Sequence, residues 1–144
     1  AHHVCGERDI ARRELRAVLE NSDDPVMRAF ALESLGNVFL EEGRLSESLP
    51  YFHEVVDSGA IAEESRFFTA YFNLALAYGL LGSFDSCRVW LSRLYEEFPH
   101  KRRLSRIELA ARPALLDKIA GDPQIDCEFS KLFPDWFPII SEVA

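Results

Sequence analysis

The sequence predicts an all-helical protein assembled from a repeated pair of antiparallel helices, and three observations carry that prediction. Apolar residues recur at spacings of three and four rather than two, and they are Leu, Ala and Phe far more than Val and Ile. Two segments, 29–62 and 68–101, align with each other position by position. Each carries a glycine midway, where a left-handed residue lets one helix end and the next begin. With 144 residues, 48% of them hydrophobic, the chain can bury a real core, so a single domain over 1–144 is expected.

The elements follow in order. Ile10, Ala11, Leu15, Val18 and Leu19 form one helical stripe, and 7–21 reads as the second helix of a pair whose first helix is missing. A start without Met on half a repeat fits a piece of a longer protein, although a removed tag leaves the same kind of start. Asn21-Ser22-Asp23-Asp24-Pro25 ends that helix and opens the next. The first full copy reads Leu32-x2-Leu35-Gly36-x2-Phe39, then Gly43, then Ser48-x3-Phe52-x2-Val55. The second reads Tyr71-x2-Leu74-Ala75-x2-Tyr78, then Gly82, then Cys87-x3-Leu91-x2-Leu94, and closes on Pro99.

Packing chemistry explains the shared order. Small residues at Gly36 and Ala75 let a second helix approach, and Phe39 and Tyr78 fill the space one turn on. Ser46 and Asp85 hold the same repeat position and are expected to cap the second helix of each pair. Pro50 is expected in the first turn of that helix, where its missing donor costs little. The copies stand 39 residues apart. The surplus over a period of about 34 lies in DSGAIAEESR, expected as a longer loop or an extra turn of helix.

Farther on, Leu104, Ile107, Ala111, Leu115 and Ile119 continue at helical spacing over 102–120, as the first helix of a third repeat or a capping helix. Pro113 is expected to kink or split it. In 121–144 the pattern changes: Phe129, Leu132, Phe133, Trp136, Phe137, Ile139 and Ile140 crowd around Pro134 and Pro138. An open helical stack needs its last apolar face covered, and this aromatic segment is read as that cap. An exposed docking segment, or one folded back into the domain's own groove, is the alternative.

The order large, Leu, small, aromatic, Gly, small, aromatic, small, Pro resembles the signature of the tetratricopeptide repeat family. The resemblance implies an α-solenoid with two full repeats, an N-terminal half-repeat and C-terminal capping helices, whose first helices line a concave groove. It implies a non-catalytic scaffold or adaptor that holds a peptide segment of a partner protein in that groove. One subclass of the family grips a terminal carboxylate with Lys and Asn from the first repeat, Asn from the second and two basic residues from the third. By repeat position Asn37 and Asn73 match the asparagines, and Arg102 and Arg106 match the basic pair. Glu33 stands where that subclass has its first lysine, and Glu108 replaces a small residue. Phe30, Phe72 and Leu76 would add apolar contact in the groove, with plain core membership as the alternative reading. Contact candidates on the same helices include Glu33, Ser34, Leu40, Glu41, Thr69 and Leu80. The partner so implied is a protein or peptide, with an acidic or C-terminal carboxylate group opposite the arginines.

Charge and motif content narrow the other classes. A net charge of -8 repels nucleic acid, although Lys101, Arg102, Arg103, Arg106 and Arg112 cluster with one acid, Glu108. Those cations follow Pro99-His100 near an expected helix start, the unfavourable end of the dipole for them. An anionic partner would offset this, as would Glu96 and Glu97. Cys5, Cys87 and Cys127 lack metal or disulfide spacing and read as ordinary thiols. His53, His100 and the His2-His3 pair have no partners at catalytic spacing, and HExxH, nucleophile-elbow and phosphate-loop motifs are missing. No enzyme activity, catalytic residue, metal site or cofactor is therefore expected. No stretch reaches the roughly 18 apolar residues of a membrane span, and the start lacks a signal peptide's apolar core, so a cytoplasmic location is expected. Two other functions fit the same sequence: a self-assembly module pairing through its open end or aromatic tail, and an accessory domain of a larger enzyme or sensor.

Overall fold

A computed structural model describes the protein over residues 2–98 and 112–132. Every regular element among the described residues is helical: α1 (His2–Asn21), α2 (Pro25–Glu41), α3 (Leu45–Asp57), α4 (Ala60–Glu63), a 3₁₀ turn (Ser65–Phe68), α5 (Thr69–Leu80), α6 (Phe84–Glu97), α7 (Pro113–Ala120) and α8 (Pro123–Leu132). The chain divides into two compact units, Ala1–Asn73 and Leu74–Ala144.

In the first unit, the junction of α1 and α2 forms where the sequence places it. The Asp24 carboxylate accepts from the Val26 amide at 2.9 Å, and Pro25 takes the first helical position, where its missing donor costs nothing. The Arg28 guanidinium reaches back to donate to the carbonyls of Leu19 and Ser22, satisfying acceptors that the end of α1 leaves open. The apolar stripe of α1 is only half covered. Ala11, Leu15, Val18 and Leu19 are half-buried, and Ile10 is exposed.

Helices α2 and α3 pack as a hairpin. α2 buries Leu32, Leu35, Gly36, Phe39 and Leu40, and α3 buries Ser48, Phe52 and Val55. The ring of Phe52 packs directly on Gly36, where a Cβ would lie 2.6 Å from a ring carbon. One turn on, the rings of Phe39 and Tyr51 stack with centroids 5.4 Å apart. The hairpin closes at Gly43, whose φ of 82° is a left-handed conformation. There the Gly43 amide donates to Leu40 at 3.1 Å and the Arg44 amide to Phe39 at 2.9 Å, the Schellman pattern that satisfies the last carbonyls of α2.

The ten-residue segment that holds the surplus, 57–66, is structured. Gly59, with φ 78°, ends α3; α4 and the 3₁₀ turn follow and bury Ala60, Ile61, Phe67 and Phe68. An extra turn of helix, not a longer loop, takes up the added length.

The second unit repeats the same turn. Gly82 has φ 84°, its amide donates to Gly79 at 3.0 Å, and the Ser83 amide donates to Tyr78 at 2.8 Å. Cys87, Leu91 and Leu94 of α6 are buried at the positions that Ser48, Phe52 and Val55 hold in α3. α7 packs on α8, with Leu115 and Ile119 buried. Asp122 opens α8 by accepting from the amides of Gln124 and Ile125 at 3.0 and 3.2 Å.

Two sequence expectations change. Ser46 and Asp85 do not cap: α3 starts at Leu45 and α6 at Phe84, so both lie inside their helices. The cap positions belong to Arg44 and Ser83, and neither makes a side-chain cap bond. Pro50 lies inside α3, beyond its first turn, so the carbonyl of residue 46 loses its helical donor. Pro113 starts α7, the position proline tolerates best, and the expected kink or split of a longer helix falls on residues before Arg112, outside the described residues. The earlier part of the expected 102–120 helix lies outside the described residues, as does the aromatic segment from Phe133 onward. Among the described residues no helix is long and apolar enough to cross a membrane.

Candidate functional site

Helix α2 spends one face on its hairpin and presents another outward. Met27 and Phe30, three residues apart and so on one side, are 48% and 53% exposed. The same side continues through half-buried Glu33, Ser34 and Asn37 to exposed Glu41. An apolar step is thus followed by polar side chains along about four helical turns.

The start of α5 meets this row at Glu33. The Thr69 hydroxyl donates to Oε1 of Glu33, and Nδ2 of Asn73 donates to the same oxygen at 3.5 Å. Thr69 and Asn73 are four residues apart, which puts them one above the other on α5 and lets one carboxylate engage both. Asn73 is only 2% exposed, and burying an amide is costly unless it finds an acceptor. Glu33 supplies one.

The site residues expected from sequence separate accordingly. Phe30 is exposed and Asn37 half-buried on the α2 face, while Asn73 is buried against Glu33. Phe72 and Leu76, 1% and 0% exposed, are core side chains, which was the alternative reading of their spacing. So is Leu40. The physical reason is that α5 is apolar all round: every residue from Ala70 to Ala77 is buried, leaving no outward face for those two to occupy. Arg102 and Arg106 lie outside the described residues. Sequence reasoning named Glu33 as a contact candidate and as a mismatch to the carboxylate clamp, and did not name Met27. Met27 could have been found from its spacing to Phe30, whereas nothing local connects Glu33 to Thr69.

The arginines near the α2–α3 turn are occupied with structure. Arg12 of α1 bonds to Asp9 and Glu42, and Arg44 bonds to Glu47 and, at 3.5 Å, to Glu42. Both guanidinium groups lie over the Phe39 ring, 5.9 and 4.5 Å from its centroid. The hydrogen bond from Arg44 holds the Glu47 carboxyl below its ordinary range, and the same bond raises Arg44. The cluster clamps the turn.

Burial pushes the Cys87 thiol up to about 12, which keeps it protonated, while Cys127 is exposed. Among the described residues no group of His, Cys, Asp and Glu is placed to hold a metal ion. What the α2 face offers is noncovalent: two exposed apolar side chains, an amide one or two turns on, and a hydrogen-bonded carboxylate between them. In comparisons with protein families, curated proteins and solved structures, the chain matched none.

Proposed function

We propose that the chain is a tetratricopeptide-like repeat domain, a non-catalytic adaptor that holds an extended segment of a partner protein along the outward face of α2. The observation that carries this reading is the exposure of Met27 and Phe30 beside the polar row Glu33, Ser34 and Asn37. Large apolar side chains at the surface next to directional polar groups suit a peptide, whose side chains need apolar contact and whose backbone needs hydrogen bonds.

The repeated hairpin supports the solenoid part of the proposal. Two left-handed glycines 39 residues apart carry the same two closing hydrogen bonds, and each is followed by a buried triad at the same spacing. In such a stack α2 is a first helix, and its outward row faces the groove. Asn37 then bonds the ligand backbone, and Phe30 and Met27 take an apolar side chain.

An array of immobilised decapeptides of mixed composition tests the proposal. Phe30→Ser is expected to weaken binding about 5- to 30-fold, and Asn37→Ala by a similar or smaller factor, with circular dichroism unchanged. Peptide binding that survives both substitutions would move the site off α2.

A further inference from the structure

We infer that Glu33 sets the polarity of the ligand this face accepts: the bound segment presents an N–H donor or a cationic side chain to the Glu33 position, not a carboxylate. The inference rests on the peptide-binding reading above and gives it a ligand chemistry.

An incoming anion needs donors, and the two that α5 brings to this row are the Thr69 hydroxyl and the Asn73 amide. Both are directed at Oε1 of Glu33. With Asn73 only 2% exposed, a ligand acceptor gains its amide only by moving Glu33 aside. Displacement would strip a carboxylate of two bonds and leave two like charges adjacent, a strongly unfavourable juxtaposition. A ligand donor meets the reverse situation. It approaches a carboxylate already held in one orientation by two protein groups, and a charge-assisted bond to such an acceptor is among the stronger polar contacts.

The rest of the row has the same sign. Glu41, exposed, follows Glu33 by about two turns on α2. In α1–α3, Arg28 donates to the carbonyls of Leu19 and Ser22, and Arg12 and Arg44 lie over the Phe39 ring. Glu33 is thus a specificity-determining position, acting through the donors it occupies as much as through its charge.

The test uses the full chain, wild type, Glu33→Gln and Phe30→Ser, each checked by circular dichroism. The probes are arrayed peptides sharing one Phe/Leu core with flanks rich in Lys and Arg, in Asp and Glu, or in Ser and Asn, each made with a free and an amidated C-terminus. Wild type is expected to favour basic over acidic flanks by at least about tenfold and to gain nothing from a free carboxylate. Glu33→Gln keeps size and an acceptor oxygen but drops the charge, and should narrow that preference to under about threefold. A wild-type preference for acidic or free-carboxylate peptides, or an unchanged preference in Glu33→Gln, overturns the inference while Phe30→Ser still reports on the binding face. Wild type that binds none of the peptides overturns both the inference and the reading beneath it.

Discussion

Gly36 is the residue on which the first hairpin depends most. A side chain there has no room, since its Cβ would fall 2.6 Å from the ring of Phe52. Gly36→Ala gains up to about 1 kcal/mol of helix propensity but forces Phe52 or the whole of α3 to move, at about 1–3 kcal/mol. Net destabilisation is expected in urea unfolding. In the double variant Gly36→Ala, Phe52→Leu the loss should be smaller than the sum of the single losses, because the smaller side chain vacates the volume the methyl needs. Gly36 was legible in sequence because its smallness is repeated by Ala75. The bond that Glu33 accepts from Thr69 was not, because the two are 36 residues apart and no periodicity joins them. Phe72 and Leu76 were ambiguous for a related reason: a helix apolar on every side gives no sequence sign of which side faces solvent.

At the scale of elements, the two closing turns are the same device built twice. Gly43 and Gly82 have nearly equal φ angles, 82° and 84°, so Gly43→Ala and Gly82→Ala should cost similar amounts, about 1–2 kcal/mol each, for forcing an L-residue into the left-handed region. At Gly82 an added Cβ meets nothing within 4 Å, so the cost there is conformational alone. Gly82→Asn should therefore recover part of what Gly82→Ala loses, measured as a shift in denaturation midpoint. The turns were legible because a positive φ is a local demand that glycine advertises. The caps were misplaced because the Schellman turn ends so abruptly that the residue after each glycine already begins the next helix. Its carbonyl accepts from the amide four residues on, Ser48 to Arg44 at 3.1 Å and Cys87 to Ser83 at 3.0 Å. Ser46 and Asp85 were thereby drawn inside the helix, where Asp85 bonds to Arg88 at 3.0 Å instead.

The molecule as a whole carries one buried titration that shows in its stability. The Cys87 thiol, ordinarily near 9.0, is pushed up to about 12 by burial. Between those values the unfolded chain releases this proton and the folded one keeps it. The contribution is fully present below pH 9 and is lost as pH rises toward 12, with a slope of at most about 1.4 kcal/mol per pH unit. Melting temperatures from pH 8 to 11 should fall more steeply in wild type than in Cys87→Ala; parallel curves would contradict the buried thiol. Periodicity and repeat alignment made the helical class and the two glycine turns legible, since both are written in spacing. The half-covered stripe of α1 was not legible, because coverage depends on neighbours that spacing does not name. The sameness of the two closing turns also bears on how a gene for such a chain can change length. A crossover joining Gly43 to Ser83 removes 39 residues and places the incoming amide where Arg44 stood, opposite the carbonyl of Phe39. Whole repeats can therefore be deleted or duplicated at a seam whose bonding is already solved.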